Sequence, residues 1–92
     1  MIQTWANSAT RKFAEDGKCK FSGLNEEWAM ELLVSLNAAS SLNDLSPLKS
    51  VGLHKLSRDR EGQWAMTING PWRICFEFRD GDAWSVEIVD YH

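Results

Sequence analysis

The chain holds only two cysteines, Cys19 and Cys75, in 92 residues. Two thiols without CxxC spacing build neither a disulfide scaffold nor a zinc or redox motif, and they predict a protein kept reduced. No apolar run approaches the ~18 residues of a membrane span. The start, Met1-Ile2-Gln3-Thr4-Trp5, lacks the basic and apolar regions of a signal peptide. These absences predict a cytoplasmic protein that does not engage a membrane. No glycine-rich phosphate loop, no Gly-x-Ser-x-Gly elbow and no HxxxH-type metal spacing occurs. Neither a metal nor a cofactor is therefore expected. A basic excess is missing too: ten Lys and Arg face thirteen Asp and Glu, a net charge of −3. That argues against a wholesale nucleic-acid coat.

The cations that are present are unevenly placed. Residues 49–79 carry Lys49, Lys55, Arg58, Arg60, Arg73 and Arg79 against Asp59, Glu61 and Glu77, a balance of +3. Residues 80–92 carry four carboxylates and no cation. The length suits one small domain spanning 1–92, with a modest core that five Trp and four Phe enlarge.

The first half reads as helices. Ser8 is placed to cap a helix over 9–16, and Gly17 to stop it. Asn25 caps a second helix, with Glu26 and Glu27 in its first turn and Ala29, Leu32, Leu33 and Leu36 on one stripe, running to about Ala39. A single helical turn is expected at Leu42–Leu45, ended by Pro47, and Ile2 and Trp5 suggest a short opening strand.

The second half alternates with the period of strands. Trp64, Met66 and Ile68 form one apolar face, Trp72, Ile74, Phe76 and Phe78 the next, and Trp84, Val86 and Ile88 the last. Matching these sets predicts three-residue loops at Asn69-Gly70-Pro71 and Asp80-Gly81-Asp82. Met66 then pairs with Ile74, Ile74 with Ile88, and Phe78 with Trp84. The expected fold is α+β, two N-terminal helices packed on one face of a small antiparallel β-sheet.

The other sheet face carries the chemistry. Arg73, Cys75, Glu77 and Arg79 alternate away from the core, with Thr67 and Val89 expected directly beside Arg73 and Tyr91 diagonal to it. Asp90 and His92 formally point to the other side, at a chain end where side chains can swing either way. Asp90-Tyr91-His92 thus puts a carboxylate, a phenol and an imidazole beside a cation, and His54 could approach the same edge. Arg73 can hold a phosphate by two parallel hydrogen bonds, and the other groups can exchange protons.

The segments Leu53-His54-Lys55-Leu56, Arg60-Glu61-Gly62-Gln63-Trp64, Asn69 to Phe78 and Val89-Asp90-Tyr91-His92 resemble the HigB toxins of the RelE superfamily. Ala38-Ala39 before Leu42-Asn43-Asp44-Leu45 resembles the end of that family's second helix. The resemblance covers the whole chain. It implies a RelE-like microbial RNase fold and an endoribonuclease that enters the ribosomal A site and cuts mRNA there without a metal. It implies a HigA-type antitoxin as partner, with DNA met only indirectly through the antitoxin complex. His54, Arg73, Asp90, Tyr91 and His92 match the family's catalytic positions. Lys55, Arg58, Arg60 and Arg79 are the candidate RNA- or ribosome-binding cations. Two features depart from the family. Ser57-Arg58 stands where a Lys-Gly pair is common, and the chain is acidic where family toxins are commonly basic. An alternative from another class keeps the fold and drops the chemistry: a gyrase-poisoning ParE-like toxin, or a weakened toxin serving mainly as antitoxin partner and corepressor. The terminal Asp90-Tyr91-His92 with His54 separates the two, because a gyrase binder has no chemical need for these groups.

Overall fold

A computed structural model describes residues 1–45, 52–57 and 60–90. Two helices, α1 (Ser8–Asp16) and α2 (Glu26–Ala38), precede β1 (His54–Lys55), β2 (Gln63–Asn69), β3 (Trp72–Arg79) and β4 (Asp82–Asp90). The strands form one antiparallel sheet in the order β1-β2-β3-β4. Both helices lie on one face, so the expected α+β architecture holds.

The helix boundaries follow from local chemistry. Asn7 rather than Ser8 caps α1. Its backbone is extended and its side chain accepts the Thr10 N–H at 2.9 Å. Gly17 ends the helix at φ 71°, a left-handed position that costs glycine nothing. Asn25 caps α2 by accepting from the Trp28 N–H, and Ala29, Leu32, Leu33 and Leu36 are buried as the stripe predicts.

The single turn after α2 is a 3-10 helix at Leu42–Asp44. The Asp44 carboxylate accepts from the Ser40 N–H at 2.8 Å, the Ser40 hydroxyl at 3.1 Å and the Ser41 N–H at 3.3 Å. These bonds, the Ser40 backbone first, hold its carboxyl below the usual carboxylate value. A depressed folded pKa gives stability that is present above the unfolded value and lost as pH falls through the folded one. Asp44→Asn should therefore be less stable than the unaltered chain at neutral pH. The gap should close as the pH drops below the ordinary value of 3.8. Chemical denaturation of both proteins across acid pH measures this. Pro47 lies outside the described residues.

Register is right in the middle of the sheet and shifts at both turns. Met66 pairs with Ile74, Trp64 with Phe76, and Ile74 with Ile88, as the apolar sets require. The first hairpin, however, turns at Gly70-Pro71, with Asn69 opposite Trp72 and a bulge at Ile68. The second turns at Asp80-Gly81, both at positive φ (54° and 78°), the two-residue geometry that matches strand twist. Phe78 then faces Ala83, and Glu77 faces Trp84. The register is restored beyond a bulge at Ser85 (φ 52°). Trp84 is thereby turned off the helix-covered face, where the regular alternation puts it. The Arg79 guanidinium lies 4.2 Å above its ring.

The outer edge of β4 is covered by the chain's beginning. Residues 1–6 run parallel to it, with bridges Ile2–Ala83 and Trp5–Val86 in place of a regular strand. Thr4 serves the bulge: its hydroxyl accepts from the Ser85 N–H at 2.7 Å and its carbonyl from the Val86 N–H at 3.1 Å. One turn further, fully buried Thr10 reaches from α1 to accept the Ile88 N–H at 3.0 Å. An edge that would otherwise offer unpaired N–H groups is thus closed.

Candidate active site

Arg73 is placed by alternation. It lies on the uncovered face of β3 between Thr67 of β2 and Val89 of β4, as expected. Its Nη1 donates to the Gly70 carbonyl at 2.6 Å and to the Trp72 carbonyl at 3.0 Å. Those two bonds use both Nη1 hydrogens and leave the Nε–Nη2 edge of the guanidinium for another acceptor. That edge matches two oxygens of one phosphate. The hairpin turn itself therefore orients the cation.

His54 stands on β1 opposite Ala65, which faces Cys75 in turn, so the imidazole starts on the same face as Arg73. Its Nδ1 is 2.8 Å from the Gly52 carbonyl oxygen. A carbonyl only accepts, so Nδ1 carries the hydrogen and the neutral ring keeps its lone pair on Nε2. Gly52 adopts φ 58°, and a Cβ there would meet the Thr67 hydroxyl at 3.4 Å. A side chain at that position would strain the turn that holds the ring. Strand spacing and rise put the Cα atoms of His54 and Arg73 about 12 Å apart. Two long side chains can flank one phosphodiester across that gap.

Asp90 ends β4 opposite Trp72, next to Arg73 in the sheet, and is exposed. Tyr91 and His92, which follow it in sequence, lie outside the described residues, as does Arg58. The other cations are dispersed. Lys55 alternates with His54 and starts from the opposite face, opposite Trp64. Arg60 forms an ion pair with Glu87 at 2.6 Å and also donates to Gln63 at 3.1 Å. Arg79 is six residues along β3 from Arg73, about 20 Å away, at the far hairpin.

Beneath these groups the uncovered face has an apolar floor of Leu56, Ala65 and Cys75, with Val89 packed against it. Burial pushes the Cys75 thiol up; Arg60 opposes that rise and Glu87 adds to it. A protonated, buried thiol is packing and no nucleophile. Among the described residues, no three His, Cys, Asp or Glu side chains gather as a metal site. No helix among them is long and apolar enough to cross a membrane.

A recess of about 680 Å³ lies elsewhere, on the outer side of α2, lined by Trp28, Met30 and Val34 with Glu27 and Glu31. It is shallow and apolar and holds none of the proton-transfer groups, so the sheet face is the better chemical site. Sequence reasoning missed the anchoring roles of Gly52 and Gly70. Only the glycines themselves, at positions needing positive φ, could have signalled them.

A model of the family described as the RelE-like toxin of the type II toxin–antitoxin system HigB matches residues 3–92. An endoribonuclease HigB of Proteus vulgaris is 38% identical over 60 residues. That stretch covers 65% of this chain and 64% of the relative, just under two thirds of its length.

Proposed function

The chain belongs to the HigB-like toxins of type II toxin–antitoxin systems, and from that membership we propose that it is an endoribonuclease cutting mRNA in the ribosomal A site. In this reading the protein is one toxin domain that acts in the cytoplasm, where the ribosomes are. A HigA-type antitoxin neutralises it. The observation that carries the chemistry is Arg73, whose Nη1 is tied to two hairpin carbonyls, bonds that leave its Nε–Nη2 edge to hold a phosphate.

The reaction is an in-line transesterification. The ribose 2′-OH loses its proton to a base, and the 2′ oxygen attacks the adjacent phosphorus. The bond to the 5′ oxygen breaks, and that oxygen takes a proton from an acid. A 2′,3′-cyclic phosphate and a 5′-OH remain. Arg73 stabilises the charge that builds on the phosphorane oxygens. His54 presents Nε2 for one proton, and His92 or Asp90 handles the other. Tyr91 stacks on or hydrogen-bonds a base. Lys55, Arg58 and Arg79 supply peripheral charge to the surrounding RNA, while Arg60 braces β4 through Glu87.

Induction of the intact chain beside one lacking Tyr91 and His92, with mRNA ends mapped in both, tests the reading. Cuts at in-frame codons should appear with the intact chain and vanish with the shortened one. Growth arrest without cuts would overturn it in favour of a toxin acting by protein contact.

A further inference from the structure

All four cations of residues 1–48 fall within one ten-residue stretch: Arg11, Lys12, Lys18 and Lys20. Arg11 is taken by Glu15 at 3.3 Å. The remaining three line, with Ala9, a recess of about 220 Å³. Among the described residues no carboxylate lines it, and none of the three lysines forms an ion pair with them. A recess lined by three cations and no carboxylate among the described residues suits an anion.

The end of α1 brings them together. Gly17 reverses the chain in the left-handed conformation, and the Lys18 N–H bonds back to the Lys12 carbonyl at 3.4 Å. The following residues are fixed to the β2–β3 hairpin. Phe21 packs edge-on to Trp72 at 5.4 Å, and the Trp72 indole donates to the Ser22 carbonyl at 3.0 Å. Trp72 faces Asp90 across the sheet and precedes Arg73. The lysines therefore stand at the same end of the molecule as the candidate active site, but on the helical layer instead of the uncovered sheet face.

We propose that Lys12, Lys18 and Lys20 form a docking site for the phosphate backbone of ribosomal RNA, apart from the strand that is cut. This rests on the ribosomal reading of the function. A strand held at Arg73 crosses the uncovered face, and it would have to bend round the Trp72 hairpin to meet the lysines. A ribosomal cavity, in contrast, presents RNA on several sides at once. In a chain of net charge −3, three lysines gathered on one recess give orientation without general affinity for RNA.

The test is sedimentation with vacant and with mRNA-programmed ribosomes across a salt series. It compares the unaltered chain, K12Q/K18Q/K20Q and K12R/K18R/K20R. The glutamine variant should bind vacant ribosomes about tenfold or more weakly, with a log-log salt slope shallower by about two to three. The arginine variant should bind normally. Equal binding by the unaltered chain and the glutamine variant overturns the proposal and leaves the proposed function standing. A defect confined to programmed ribosomes also overturns it, because the lysines would then hold the cut strand. A glutamine variant that loses only antitoxin binding overturns it in favour of a protein-docking surface. An unaltered chain that neither binds ribosomes nor cuts RNA sinks the function, and this site with it.

Discussion

Arg73→Ala should lower the rate of mRNA cleavage about 10²–10³-fold, the usual loss when one charge-stabilising donor is removed from a transition state. The effect should fall on the chemical step. The two Nη1 bonds to the Gly70 and Trp72 carbonyls hold the guanidinium in one orientation before substrate arrives. Both carbonyls sit at a hairpin that water can reach, so their loss of a partner should cost the fold little. Arg73→Lys keeps the charge and loses the fork, and should recover only part of the rate. Single-turnover cleavage on programmed ribosomes, with thermal unfolding of each variant alongside, measures the pair. Arg73→Ala within threefold of the unaltered rate would assign the phosphate to another cation.

Thr10→Val should destabilise the protein by about 2 kcal/mol, or roughly 10 °C in Tm. The substitution is close to isosteric, and Thr10 is fully buried. It removes the hydroxyl that accepts the Ile88 N–H at 3.0 Å and leaves that buried donor without this partner. Thr10→Ser keeps the hydroxyl and should lose much less, which separates the hydrogen bond from the packing of the methyl group. Because Ile88 stands two residues before Asp90, loosening this latch should also reduce cleavage per folded molecule. Thermal melts decide the first point: unchanged stability in Thr10→Val would mean that the α1–β4 latch contributes nothing.

The sheet's centre was legible because its apolar sets are long and alternate without a break. Trp64, Met66, Ile74, Phe76, Val86 and Ile88 allow one register only, since a slip by one residue would expose a whole face. The turns were not legible at the same level. An alternation argument assumes a regular pleat, and the bulges at Ile68 and Ser85 each spend one residue outside it. That is why Trp84 was expected in the core and is found under Arg79. The Ser85 bulge depends on Thr4, 81 residues away, a contact that no local pattern announces.

The candidate site divides in the same way. The position of Arg73 between Thr67 and Val89 follows from strand period alone. The orientations of Arg73 and His54 depend on backbone carbonyls of Gly70 and Gly52, which every residue possesses and which therefore leave no residue-specific mark. Arg60 looked like a surface cation because its partner Glu87 is 27 residues on, in another strand. The lysine recess escaped notice for a related reason. Lys12, Lys18 and Lys20 have no common periodicity and meet only through the reversal at Gly17.

The central claim is that these residues carry out a 2′-OH transesterification on RNA, and the chemical identity of the new ends tests it most directly. RNA cut by the purified chain on programmed ribosomes should carry a 2′,3′-cyclic phosphate on the upstream fragment and a 5′-OH on the downstream one. A 3′-OH with a 5′-phosphate would mean that water or another nucleophile, and not the ribose, attacked the phosphorus, and would contradict the account.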